Sequence, residues 1–112
     1  MVPLAAGLVV VVRFPFSDLS QTKLRPAVIL ADVGRGDWIL CQVTSKPCSD
    51  STAVVLEAAD FQRGSLTVTS YARPGKLFTA SGDLVEGVAG VLKPGSLRAV
   101  IAAVETILRG SH

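Results

Sequence analysis

The sequence predicts a small, strongly bent, mainly β domain with a C-terminal α-helix, and three observations carry that expectation. Short apolar, β-branched runs separated by turn residues fill the first two-thirds of the chain. The apolar period then switches once, near the C-terminus, from about two residues to about 3.6. The length, 112 residues, suits one domain.

Gly7 reads as a turn into a buried strand over residues 8–14, "LVVVVRF". A second strand is expected over 26–31, with Pro26 at its opening position, where a missing N–H is tolerated. Gly34-Arg35-Gly36-Asp37 is turn chemistry and predicts a hairpin into a third strand, 38–44. That strand alternates loosely, as expected for burial on both faces. Residues 45–51, with Lys46-Pro47, read as a loop, 53–56 as a short strand and 58–64 as a turn. Clean alternation predicts a strand over 66–72, and apolar runs predict two more over 77–80 and 87–92. Leu97, Val100, Ile101, Val104, Ile107 and Leu108 then fall on one helical stripe. Ser96 suits the N-cap, with Pro94 as an alternative, earlier start. Residues 1–109 read as one domain, and Gly110-Ser111-His112 as an appended tail.

Composition bounds the chemistry. The formal net charge is +2, which permits an anionic partner without requiring one. A chain this short buries a moderate share of its surface, so a homodimer is unsurprising. Cys41 and Cys48 lack zinc-site spacing and read as reduced thiols of a cytoplasmic protein. The apolar N-terminus has no basic leading segment and is far short of the ~20 residues that span a bilayer, so no membrane partner is expected. The single histidine is His112, in the tail, so histidine-based nucleophilic or acid–base pairs are excluded. Gly34 and Gly36 lie in a hairpin turn with no helix behind them, unlike a phosphate-cradling loop. The carboxylates are scattered without magnesium-site spacing, and no metal or cofactor is expected.

What remains is arginine, hydroxyls and amides, which are adequate for holding phosphate. If strands two and three pair through the hairpin, Arg25 and Thr44-Ser45 meet at the end of the sheet opposite the turn. Lys23, Lys46 and the polar loop of residues 17–22 border the same end. A solvated arginine and a strand-ending Thr-Ser pair are the plainer alternative.

These residues carry a resemblance. "VVVVRFPFSDLSQTKLRPAVIL", "ILCQVTSKP" and "SYARPGKLFTASGDLVEGVAGVLKPGSLRAVIAAVETIL" are similar, in order and over nearly the whole chain, to the MazF/PemK toxins of type II toxin–antitoxin systems. The resemblance implies an SH3-like small barrel of the CcdB type, a homodimer, and metal-independent cleavage of single-stranded RNA at short sequences. It also implies a cognate antitoxin that occupies the RNA site. By position, Arg25 and Thr44 are the implied catalytic pair. Phe16 would stack on a base, as core packing is its other reading, and Ser17, Asp18, Ser20 and Gln21 would meet base edges. Lys23, Ser45, Lys46 and Arg73 would hold the RNA backbone; Lys76 reads better as solvated surface, and Tyr71 as packing. Asp18 or water is the implied base. The chain departs from many members at Leu8, where they carry Asp, and at Ser20-Gln21-Thr22, where they carry glycine. A gyrase-poisoning toxin on the same barrel is the main rival, but such toxins act through a C-terminal tryptophan, and Trp38 lies in a strand. A barrel that binds RNA or a peptide without chemistry is the third reading.

Overall fold

The structure, a computed structural model, describes residues 3–15, 22–47 and 50–110. Among these residues there are seven strands: β1 (Leu8–Pro15), β2 (Thr22–Gly34), β3 (Asp37–Thr44), β4 (Val54–Leu56), β5 (Phe61–Gly64), β6 (Ser70–Ser81) and β7 (Val85–Leu92). They form one antiparallel sheet in the order β4-β6-β3-β2-β1-β7-β5, curled into a half-barrel. The helix α1 (Pro94–Arg109) closes the chain and packs on β6 and β4. No helix among the described residues is long and apolar enough to cross a membrane.

Curling gives β1, β2 and β3 two buried faces. Val9, Val28, Cys41 and Val43 pack with Leu56, Phe61, Leu92 and Val100 under the helix. Their neighbours Val10, Val12, Ala27, Ile29 and Leu40 form a second cluster on the other face, joined by Leu4, Trp38 and Phe78. A strand buried on both sides has no reason to alternate, which explains the unbroken valine run of β1. Each fully buried Val, Leu or Ile contributes roughly 1.5–3 kcal/mol over its exposed state.

Several expectations need correction. β2 starts at Thr22, because residues expected in the loop pair with β1: Pro15 with Thr22, Phe14 with Lys23, Arg13 with Leu24 and Val12 with Arg25. Pro26 therefore sits inside a strand, at the point where the ladder to β3 has ended at Ala27–Gln42. Residues 66–69 are not a strand, since their alternation finds no neighbour to pair with; instead β6 runs unbroken from Ser70 through the segment expected to separate two strands. Cys41 pairs with Leu77 and Val43 with Ala72, so residues 73–76 bulge out opposite Gln42 alone. Residues 61–64, expected as a turn, are the edge strand β5. It lies so close to β7 that a Cβ on Gly90 would stand 2.7 Å from the Arg63 carbonyl, and glycine permits the approach.

Helix α1 opens earlier than Ser96. Lys93 is its N-cap and Pro94 its first residue, which costs no hydrogen bond there. Ser96 lies in the first turn and donates its hydroxyl to Asp60 Oδ1 at 2.8 Å. Val100 and Val104 are buried, but Leu108, the last of the stripe, is exposed beyond the sheet. Gly110, read as tail, ends the helix in the left-handed conformation (φ 71°), its N–H donating to the Ile107 carbonyl at 3.0 Å.

Candidate functional site

The pairing of β2 with β3 ends at Ala27–Gln42, although both strands continue. Continued by two residues, the same register sets Arg25 against Thr44 with no ladder between them. On the other side of β3, the bulge at residues 73–76 swings β6 outward. These two irregularities open a cleft of about 220 Å³ lined by Phe14, Arg25, Gln42, Val43, Thr44 and Arg73. It offers two guanidinium groups, a hydroxyl, an amide and an aromatic wall. Phe14 is held edge-on by Phe78, ring centroids 5.1 Å apart.

The polar groups are oriented. Thr44 Oγ1 accepts the Lys46 N–H at 3.1 Å, which leaves the hydroxyl proton to donate elsewhere. Arg73 donates from Nε to Asp50 Oδ2 at 3.1 Å. Asp50 Oδ1 in turn accepts the Thr52 N–H at 2.9 Å and the Thr52 hydroxyl. The Thr52 hydroxyl, then its N–H, and then Arg73 hold the Asp50 carboxyl below its ordinary pKa, so it is ionised at neutral pH. With a depressed folded-state pKa, its stabilising contribution is present above the unfolded value and lost as pH falls through the folded one. Behind the cleft, the buried Cys41 thiol donates to the Arg73 carbonyl at 3.2 Å. Burial pushes its pKa up to about 12, against the lowering effect of that hydrogen bond, so Cys41 is an inert thiol.

Of the residues singled out in the sequence, Arg25, Thr44 and Arg73 share the cleft. Arg25 arrives there from inside a strand, paired across from Val12, not from a strand entrance. Lys23, Ser45, Lys46 and Lys76 are exposed and do not line it. Phe16, Ser17, Asp18, Ser20 and Gln21 lie outside the described residues. Sequence reading missed Phe14, Gln42, Asp50 and Thr52. Gln42 was within reach, because it lies two residues before Thr44 and so on the same strand face. The Asp50–Arg73 pair spans 23 residues and had no local signal.

A larger cavity, about 610 Å³, lies beside the start of β7, lined by Leu4, Asp83, Val85, Glu86 and Val88 together with Gly82 and Gly87. Its charged lining is acidic, which repels phosphate, and Arg13 at its side is engaged by Glu86 at 3.6 Å and the Asp83 carbonyl at 3.4 Å. Charge, not size, therefore selects the smaller cleft for an anionic ligand. Among the described residues, no three His, Cys, Asp or Glu side chains come together to hold a metal ion.

No protein-family model matches the sequence, and no curated protein matches it. Solved structures do. An endoribonuclease in complex with its cognate antitoxin, from a mycobacterial species, superposes with a TM-score of 0.74 at 19% identity, covering 96% of both chains. MazF of Deinococcus radiodurans, in a crystal with MazE, gives 0.74 at 20% identity over 93% of this chain and 94% of that one. The Mycobacterium tuberculosis toxin MazF-mt6 gives 0.71 at 16% identity over 91% and 96%. With more than nine-tenths of its length superposed on these structures, this chain has the MazF fold.

Proposed function

We propose that the protein is an endoribonuclease toxin that cuts single-stranded RNA at short sequences without a metal ion, acts as a homodimer and is neutralised by a cognate antitoxin. The observation that carries this reading is the meeting of Arg25, Thr44 and a second guanidinium, Arg73, in one cleft of a MazF fold.

RNA supplies its own nucleophile. The 2′-oxygen attacks the adjacent phosphorus, the P–O5′ bond breaks, and the products are a 2′,3′-cyclic phosphate and a 5′-OH. The protein must hold the in-line geometry and stabilise charge on the phosphorane oxygens. Arg25 presents a fork of donors to two of those oxygens, and Thr44, its lone pair engaged by Lys46, donates its proton to one. A guanidinium stays charged at any ordinary pH, so Arg25 stabilises charge and hydrogen-bonds the leaving 5′-oxygen. That oxygen takes its proton from Arg25, itself reprotonated at once by water, to become the 5′-OH; Arg25 does not abstract the 2′-OH proton. That proton goes to Asp18 or to water. Lys23, Ser45 and Lys46, exposed on the chain segments that enter and leave the cleft, hold flanking phosphates, so binding weakens with salt. The gyrase-poison reading finds little support in Trp38, which packs against the second apolar cluster.

The test is to incubate the protein and Arg25→Ala with a long single-stranded RNA in excess EDTA and to analyse fragment ends. Discrete cuts by wild type alone, ending in 2′,3′-cyclic phosphate and 5′-OH, are expected. A folded wild type that leaves a sequence-diverse RNA intact overturns the reading.

A further inference from the structure

Beyond Thr44 in the chain, a carboxylate, Asp50, lies against Arg73 at the rim of the cleft that Arg73 lines. Arginine carries five N–H donors. In Arg73 the Nε–H is taken by Asp50 Oδ2 at 3.1 Å, which leaves the four donors of the two terminal nitrogens for the cleft that Arg73 lines. The acceptor is itself fixed, because Asp50 receives both the N–H and the hydroxyl of Thr52. The Asp50 side chain is 13% exposed and that of Arg73 31%, so neither swings freely in solvent. The backbone is pinned as well: the Arg73 carbonyl takes the Cys41 thiol at 3.2 Å, and the next residue, Pro74, is buried. Arg25, by contrast, is exposed.

A carboxylate beside a phosphate site is a net cost to ground-state affinity, since it cancels positive charge where an anion binds. Its presence at the rim calls for a compensating gain. That gain is geometric: a long side chain is held in advance where charge develops on the phosphorane, so no reorganisation is needed as the reaction proceeds.

We propose that Asp50, held by Thr52, is a positioning residue that aims the terminal nitrogens of Arg73 at the phosphate being cleaved. The inference rests on the ribonuclease reading and deepens it, by assigning Arg73 to transition-state stabilisation instead of general backbone binding. Preorientation acts on the chemical step, so loss of Asp50 slows cleavage without weakening RNA binding.

The experiment compares wild type, Asp50→Asn, Arg73→Ala and the double variant. Two quantities are read: the single-turnover cleavage rate, and the Kd for the same oligonucleotide carrying a 2′-deoxy sugar at the cut site. Asp50→Asn should lower the rate roughly tenfold, because misaimed donors cost about that or more in a positioned reaction. Its Kd should stay unchanged or tighten, since a negative charge has gone. In the Arg73→Ala background, Asp50→Asn should change nothing further, as expected of two residues that act as one unit. Thr52→Val, which removes one support of Asp50 and keeps the ion pair, should give a smaller loss of the same kind, and it serves if Asp50→Asn does not fold. An equal rate loss with and without Arg73, or a Kd that weakens in step with the rate, overturns the assignment. So does a rate that ignores Asp50→Asn while wild type cuts normally; that result removes this inference alone. A wild type that neither binds nor cuts the RNA removes the ribonuclease reading and this inference with it.

Discussion

The two ends of the β2–β3 hairpin are built on opposite principles. At the turn end, neighbours in sequence set the conformation. Gly34, Arg35 and Gly36 take left-handed φ values of 88°, 58° and 80°, and Asp32 Oδ1 accepts the Gly34 N–H at 2.8 Å. Outside contacts, the Gly82 N–H to the Gly36 carbonyl at 2.8 Å and the pairing of Asp37 with Ser81, tie that turn to the rest of the sheet. At the open end, the residues that meet come from four different strands. Phe14 comes from β1, Arg25 from β2, Gln42 and Thr44 from β3, and Arg73 from the β6 bulge. The turn end is where the ladder must close. The open end is where the ladder stops and backbone irregularity leaves room for polar side chains. The difference teaches that a small sheet can keep its closing turn and a polar cleft apart by placing them at the two ends of the same pair of strands.

Arg25→Ala attacks the open end alone, and the effect should be the largest. If Arg25 neutralises the phosphorane, its loss should cut kcat/KM by about 10³-fold, or about 4 kcal/mol. Thermal unfolding should move little, because the side chain is exposed and surface groups of this kind contribute under about 1 kcal/mol. A melting temperature that collapses along with activity would mean that the two ends are not separable.

Ile29→Ala strikes the strand between the ends. Ile29 is fully buried, paired with Leu40 and packed in the second cluster. Removing its side chain should cost about 3 kcal/mol in urea denaturation, within the usual range for buried Ile→Ala. At temperatures where the variant stays folded, its cleavage rate should be near normal. A rate loss without a stability loss would show that the core sets cleft geometry directly.

Thr44→Val keeps the shape of the side chain and deletes one donor. A single missing oxyanion donor costs roughly 10²-fold or more in kcat, about 2.7 kcal/mol. The change also strips the acceptor from the Lys46 N–H, an exposed group that water can satisfy. Stability should therefore hold while the rate falls, and unchanged cleavage by Thr44→Val would remove Thr44 from the mechanism.

How much of this was legible in the sequence follows the same division. β1, the hairpin turn, β3 and the helix were readable because their signals are local: valine runs, Gly-Arg-Gly, a 3.6-residue stripe. That Arg25 and Thr44 share one end of the sheet was readable because the hairpin carries both away from the turn, but their direct opposition was not, since two register shifts between the turn and Ala27 set it. The unbroken β6 was not, since Arg73-Pro74-Gly75-Lys76 has turn chemistry and the structure uses it as a bulge. β5 was hidden because Gly64, which the structure uses for close approach to Gly90 of β7, looks in one dimension like a turn glycine. The start of β2 was hidden because Thr22 and Lys23 are polar yet pair with β1. Asp50 was silent until the fold brought it to Arg73.

Gly36→Ala sharpens the comparison from the turn end, with the smallest effect. Gly36 has φ 80°, and a Cβ placed there meets nothing within 4 Å. No clash contributes, so the cost is the left-handed backbone alone, about 1–2 kcal/mol for a residue that carries a Cβ. The register of β2 and β3 is held independently by pairs such as Val28 with Cys41 and Ile29 with Leu40, so the strands should not slip. Chemical denaturation should record the small loss, and single-turnover cleavage by the folded variant should match wild type. A rate that drops at Gly36→Ala would mean that strain at the turn travels the length of the hairpin, and that the register between Ala27 and Gln42, at the mouth of the cleft, is set from the far end.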